Sequence, residues 1–247
     1  PTQLLLGATF VSTVVIFIII LFQRKVNLIM QGSRRDLIRS IILGFLNPFL
    51  YYSVLLEAYT MLPAQEAQAL NYIWVVMLSL LSIPILKQKP VFRDISGVLI
   101  SFCGAVVIAF RGNFKTMQFA EPIGVSLALI STLLWALSWL YNVRDKRDNV
   151  IKLFWIFVFG FIFTLIYSIS TDQFVMPGFY ALEGEAYIGV FEMGITFMVW
   201  LMALQKAAKT AKVTNLIFIT PFISMLIIYL VLGEAITLST WTGLVLI

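Results

Sequence analysis

Nine apolar stretches, separated by short polar or charged loops, run along the chain. They lie at about 3–22, 37–60, 64–86, 95–111, 122–142, 151–171, 186–207, 213–232 and from 240 to the end. Each complete stretch is near the length that carries a helix across the hydrocarbon core of a bilayer. Open strands are excluded there, because lipid offers the backbone no hydrogen-bond partners. The pattern predicts an all-α membrane protein. The first stretch is not a signal peptide, since it lacks a basic leader and a small-residue cleavage site.

Composition agrees. Of the 247 residues 61% are hydrophobic and only 12% charged, about half the charge that a soluble domain carries. The net charge of +5 does not indicate nucleic acid, because the basic residues sit in loops between spans. If loop 23–36 is cytoplasmic, alternation also places loops 87–94, 143–150 and 206–212 inside. Fifteen of the seventeen basic residues then lie at the inner side, leaving Arg111 and Lys115 outside. The outer loop 172–185 instead carries Asp172, Glu183 and Glu185. The opposite orientation violates the positive-inside rule. The expected location is a cell membrane, an inner membrane in a cell with two, with lipid as a partner.

The chain repeats itself. Residues 70–101 align with 216–247 without a gap at an offset of 146, pairing Leu70 with Leu216, Ile73 with Ile219, Leu80 with Leu226, Leu86 with Leu232 and Gly97 with Gly243. The same offset carries 3–22 onto 149–168 and 37–60 onto 183–206. The span at 122–142 then needs a counterpart before residue 1, and the ninth span lacks its last turns. The expectation is ten helices, nine of them visible, with the N-terminal one missing and the last truncated. The halves are 1–116 and 117–247. Five spans per half is an odd number, so the second half is inverted, an architecture common among secondary transporters.

The second half carries Trp200, Ala203 and Leu204 in a W-x-x-A-L stretch. It continues with the Thr220-Pro221 step, the Leu232-Gly233-Glu234 turn and Gly243. These features, in this order, resemble the EamA repeat of the drug/metabolite transporter superfamily. The first half has a weaker copy, and its Asn71-Tyr72-Ile73-Trp74 stretch looks like a signature of the branch that exports aromatic and other amino acids. Val75 stands where that branch has proline, and Lys87-Gln88 where the repeat usually has Gly-Glu. The resemblance implies a transporter of small metabolites, with an amino acid among the candidate substrates.

Glu192 is the sharpest candidate. It lies about six residues inside its span, roughly 9 Å from the outer end. A carboxylate at that depth is expensive and usually faces a cavity or a partner. It reads either as a substrate-amine or proton site, or as a structural contact to a neighbouring helix. Thr196 and Trp200 follow at i+4 and i+8, on one helix face. Asn47 and Tyr51 are one turn apart beside Pro48, which permits a kink. Asn47 falls within one residue of the repeat-equivalent of Glu192.

Ser131, Trp135, Ser138 and Asn142 form a stripe with Trp139 at its edge, which lines a cavity or packs helices. The resemblance favours the cavity for Trp135. Gln68, Asn71, Tyr72 and Trp74 read as cavity lining or as an interfacial aromatic belt. Pro221 is a hinge or a static bend, and Pro48 shares the gating reading. Asn215 and Phe218 lie on one face just before Pro221. Gly97, Ser101 and Ala105 form a small-residue packing face. Glu57, Glu66 and Glu234 are expected near the outer surface, as vestibule or capping groups.

The chain has no histidine and one cysteine, Cys103. There is no Walker loop, no metal-ligand cluster, no nucleophile–base pair and no selectivity-filter sequence. No catalytic residue, metal or cofactor is expected. An intramembrane enzyme would have only Glu183 and Glu185, which read as loop solvation. A passive channel remains the other rival to a secondary transporter that exports by alternating access. A monomer and a homodimer fit equally.

Overall fold

The computed structural model describes residues 2–62, 67, 70–89, 92–109, 121–174, 178–220, 223 and 230. These residues are helical throughout, with short connections. Five helices are long and apolar enough to cross a membrane: α1 (Thr2–Phe22), α2 (Arg34–Met61), α5 (Pro122–Arg144), α6 (Asn149–Ser170) and α7 (Ala181–Lys206). Two shorter helices, α3 (Ile73–Leu86) and α4 (Phe92–Ala109), lie between α2 and α5. A further helix, α8 (Thr210–Thr214), continues as a tighter turn over Asn215–Phe218. The predicted span beginning at 240 lies outside the described residues.

Local chemistry sets the helix starts. Ser33 accepts from the Asp36 amide while the Asp36 carboxylate accepts from the Ser33 amide, a reciprocal cap that opens α2. The Asp148 carboxylate accepts from the amides of Val150 and Ile151 and opens α6. In α3, Lys87 forms the C-cap in the left-handed region at φ 57° and ψ 35°. That conformation favours glycine, which explains why the resembled repeat usually has Gly here.

The chain divides into two compact units. The first comprises Pro1–Ser53 and Tyr141–Lys206, the second Val54–Leu140 and Ala207–Ile247. Each unit draws helices from both sequence halves.

In the first unit, α1 packs on α6 and α7, and α2 packs on α6. Both α2 and α7 are interrupted by a wide, π-type turn, at Phe45–Leu50 and Ile188–Ile195. Asn47 leaves helical geometry altogether (φ −154°, ψ 119°), and the Asn47-Pro48 bond is cis. The break expected at Pro48 is therefore present, while the one in α7 was not foreseen.

Glycines let the backbones meet at these turns. A Cβ on Gly44 would lie 2.6 Å from the Ile156 carbonyl, and one on Gly160 2.6 Å from the Pro48 ring. A Cβ on Gly189 would lie 2.5 Å from Val11 and 2.8 Å from the Ala8 carbonyl, and one on Gly194 2.7 Å from the Gly189 carbonyl. The Ser12 hydroxyl bonds the Gly189 carbonyl at 3.0 Å across this contact. The two contacts, α2 on α6 and α7 on α1, exchange under the offset of 146.

In the second unit, α3 packs on α4 and α8. A polar seam joins α3 to α8. Ser79 and Thr214 hydroxyls lie 2.9 Å apart. The Gln88 amide group donates to Thr210 Oγ1 at 3.0 Å, and its oxygen accepts from the Thr210 amide at 3.1 Å. Gln88, a departure from the resembled repeat, is thus the cap of α8. A small apolar cluster of Ala58, Leu62, Ala67 and Ala128 packs α2 against α5, with Gly124 beside Leu62.

Two outcomes follow. Gly160→Ala and Gly189→Ala each destabilise by about 1–3 kcal/mol through overpacking, despite alanine's better helix propensity. Gly32→Ala, whose Cβ meets only Asp36 at 3.9 Å, is near neutral. Denaturation in detergent distinguishes them. Lys87→Gly stabilises by roughly 0.5–1 kcal/mol, because relief of the left-handed strain exceeds the added chain entropy, read in the same assay.

Candidate functional site

The sequence candidates fall into one cluster in each unit. In the first unit the centre is Glu192, in the wide turn of α7. Its Oε1 accepts a hydrogen bond from the Tyr52 hydroxyl at 3.1 Å. Tyr52 lies just after the break in α2, so the contact ties together the two interrupted helices. The Tyr51 ring meets the Tyr52 ring edge-on at 4.8 Å, and Tyr51 and Asn47 are both buried. Glu192 and Thr196 are exposed, and Trp200 is half-buried. The Thr196 hydroxyl donates to the Phe191 carbonyl five residues back, which also accepts from the Thr196 amide across the wide turn.

In the second unit the candidates are aromatic. Trp74 of α3 meets Trp135 of α5 edge-on at 5.9 Å, and Trp135 meets Trp139 at 5.7 Å. Tyr72 stacks on Phe218 at 6.4 Å. Trp74, Trp139 and Phe218 are buried, while Asn71, Tyr72 and Trp135 are half-buried. Asn215 packs beside Gly97, its Nδ2 3.1 Å from where a Cβ would stand. Its Oδ1 is buried with no hydrogen-bond partner among the described residues, an acceptor that native folds rarely leave open.

Other candidates have structural work in view. The Ser131 and Ser138 hydroxyls, both fully buried, turn back to the carbonyls of Ala128 and Trp135. Asn142 is buried, and its carbonyl accepts from Lys152. Glu57 is exposed. Pro221, Glu66, Gln68 and Glu234 lie outside the described residues.

Sequence reading missed two groups. Glu185 was expected in a solvated loop, but helix begins at Phe179 and Glu185 is 4% exposed. It faces Gly7, where a Cβ would collide with its carboxylate, and it bonds Gln3. The apolar pattern resumes only at 186, which hid the helical turn before it. Lys152 is 0% exposed, although it stands in a stretch expected at the inner surface. Its ammonium donates to the carbonyls of Asn142 and Asp145 at 2.8 and 2.7 Å, satisfying the open end of α5.

The same end holds an ion network. Arg147 grips the Asp145 carboxylate at 2.6–3.1 Å and donates to Ser40 at 2.9 Å. Lys25 pairs with Asp148 at 2.6 Å. Burial pushes the Asp145 carboxyl up, but the Arg147 bonds and charge outweigh it and hold the group below its ordinary value. Asp148 follows the same balance, with Lys25 and the capped amides prevailing.

A profile of the EamA-like transporter family matches residues 1–110 and 122–247. The chain belongs to the EamA-like transporter family. It is therefore a multi-pass membrane transporter of the drug/metabolite superfamily rather than an enzyme. Relatives are also named as transporters. The chain is 27% identical over 211 residues to the "Uncharacterized transporter YvbV" of Bacillus subtilis (strain 168), a match spanning 83% of this chain and 67% of that one. It is 28% identical over 162 residues to an "Uncharacterized transporter" of Acidianus ambivalens, spanning 64% of this chain and 61% of that one. A solved crystal structure, 17% identical, overlays with a TM-score of 0.85 across 100% of this chain and 84% of its own, which supports the fold.

In this EamA-like chain both depressed carboxylates contribute stability above their ordinary titration range and lose it as pH falls through their lowered values. Denaturation midpoints should therefore fall below about pH 4. Asp145→Asn flattens that acid limb and costs about 3 kcal/mol at neutral pH, because Arg147 loses its buried partner. Equilibrium unfolding from pH 3 to 7 checks both.

Proposed function

We propose that this transporter moves small polar or amphipathic metabolites, amino acids among them, outward across the membrane as a secondary carrier. Two inverted halves rock to expose the binding site to each side in turn. The basic loops face the cytoplasm, and the protein works as a monomer or homodimer. The observation that carries the reading is Glu192: a carboxylate inside a membrane-spanning helix, at a wide turn, exposed and held by Tyr52. Such groups mark substrate or proton pathways. A carboxylate has several acceptor positions, and the tyrosine occupies one of them, so a substrate amine or a proton has room to bind.

Asn47 and Tyr51 contribute from the break in α2. Within the second unit, Trp74, Trp135, Tyr72 and Phe218 form an aromatic surface suited to an apolar group, and Asn215 has an open acceptor. Asn142, Thr196 and Trp200 in the first unit, and Ser138 and Asn71 in the second, are the remaining candidates, with Pro48 and Pro221 as hinges. Proton coupling runs through carboxylates, chiefly Glu192, because histidine is absent. The inverted arrangement draws support from the offset of 146 and from the paired glycine contacts that exchange under it. A passive channel would need no carboxylate at this depth, and no other observation favours one.

The test is counterflow of amino acids into proteoliposomes across pH 5.5–8. Glu192→Gln lowers flux about tenfold or more and flattens its pH dependence, the scale of losing a charge-assisted hydrogen bond. Tyr52→Phe has a smaller effect of the same kind. Unchanged flux and pH profile in Glu192→Gln removes Glu192 from the mechanism.

A further inference from the structure

Within the first unit, α2 and the end of α5 enclose a groove of about 560 Å³. Arg39 and Arg144 stand at its rim. One turn deeper come Ile42 on α2 and Tyr141 on α5, and Leu46 lies a further turn down α2. At 1.5 Å per residue, Ile42 is about 4.5 Å and Leu46 about 10 Å below Arg39. Both helices therefore present the same order with depth: guanidinium first, apolar or aromatic surface beneath. Ile42 and Tyr141 are exposed, so this wall is open to whatever surrounds the protein.

The charge at the rim is open as well. Asp145, the acidic group in the groove, is buried and held by Arg147. Arg39 reaches Asp36 only at 3.5 Å and is itself 47% exposed. Arg144 is exposed and makes no ion pair or side-chain hydrogen bond among the described residues. An incoming anion thus meets two guanidinium groups, one uncommitted and one loosely engaged. Guanidinium groups match phosphate oxygens in planar, paired geometry, and tyrosine favours the membrane interface.

We infer that this groove is a binding site for one anionic phospholipid. Its phosphate lies between Arg39 and Arg144, and an acyl chain runs along Ile42 and Leu46. A free phosphate would satisfy the rim but leave the apolar wall unfilled, so the depth order selects a lipid. Basic pockets between membrane helices are suited to such headgroups. The inference rests on the membrane placement of the helices and is independent of Glu192 and of transport.

Native mass spectrometry of the full-length protein in detergent tests it, with phosphatidylglycerol, phosphatidylcholine and glycerol 1-phosphate as probes. The expected result is one retained phosphatidylglycerol, favoured about tenfold over phosphatidylcholine. Arg39→Gln with Arg144→Gln abolishes that preference. Arg144→Gln alone, at an exposed residue, lowers it about threefold and guards against misfolding of the double variant. Lys146→Gln, exposed nearby but outside the groove, preserves the preference. Equal retention of the two lipids overturns the inference, as does an equal loss in Lys146→Gln, which marks diffuse charge attraction. Displacement of the lipid by equimolar glycerol 1-phosphate also overturns it, since the site would then read only a phosphate.

Discussion

Close backbone contact at glycine is what the first unit depends on. Lipid tails are as apolar as the helices they surround, so burial alone does not drive helices together; packing and hydrogen bonds must. Gly44 and Gly160 bring α2 onto α6, and Gly189 brings α7 onto α1, each at a distance that a methyl group would forbid. These contacts sit at the wide turns, which reset the helix faces beyond them. Tyr52 and Glu192 meet just beyond the break in α2 and within the one in α7.

Most polar groups in the spans are answered locally. Hydroxyls of Thr9, Ser53, Ser79, Ser126 and Thr164 fold back onto carbonyls three or four residues earlier. Lys152 carries its charge into a fully buried position only because two carbonyls at the end of α5 and the nearby Asp145 receive it. A hydrophobic medium penalises any polar group left over. That makes the exceptions informative: Glu192, exposed with a tyrosine on one oxygen, and the buried Asn215 Oδ1, Ser168 hydroxyl and Glu185 Oε1, which have no hydrogen-bond partner among the described residues.

Much of the fold was legible in the sequence. The apolar stretches from 3 to 207 fall on helices where their residues are described, and the break at Pro48 is where proline's missing amide put it. The offset of 146 pairs α1 with α6 and α2 with α7 by sequence, and the wide turns fall in the second of these pairs. What escaped was set by contacts distant in sequence. The wide turn in α7 contains no proline; Gly189 and Gly194 were its signal, and only the packing of Val11 and Val15 gives them meaning. Glu185 looked solvated because acidity near a span end usually is, yet Gly7 opens room for it. Lys87 and Gln88 looked like departures from a repeat, but they hold the positions of a left-handed cap and a helix-start acceptor. Along the candidate stripe at 131–142 the Ser131 and Ser138 hydroxyls bond carbonyls of their own helix, and Trp135 joins an aromatic cluster with Trp74.

The wide turns also bear on how a rigid helix pair could serve a moving protein. A regular helix bends little, because each carbonyl is fixed to an amide four residues on. At the wide turn in α7 side chains add to the backbone bonding: the Phe191 carbonyl accepts from both the Thr196 amide and its hydroxyl, and Ser12 serves Gly189 from the neighbouring helix. Hydroxyl bonds of this kind can be exchanged without unwinding a turn. The glycines meanwhile hold each interrupted helix against its neighbour, so motion at the turn need not separate the pair.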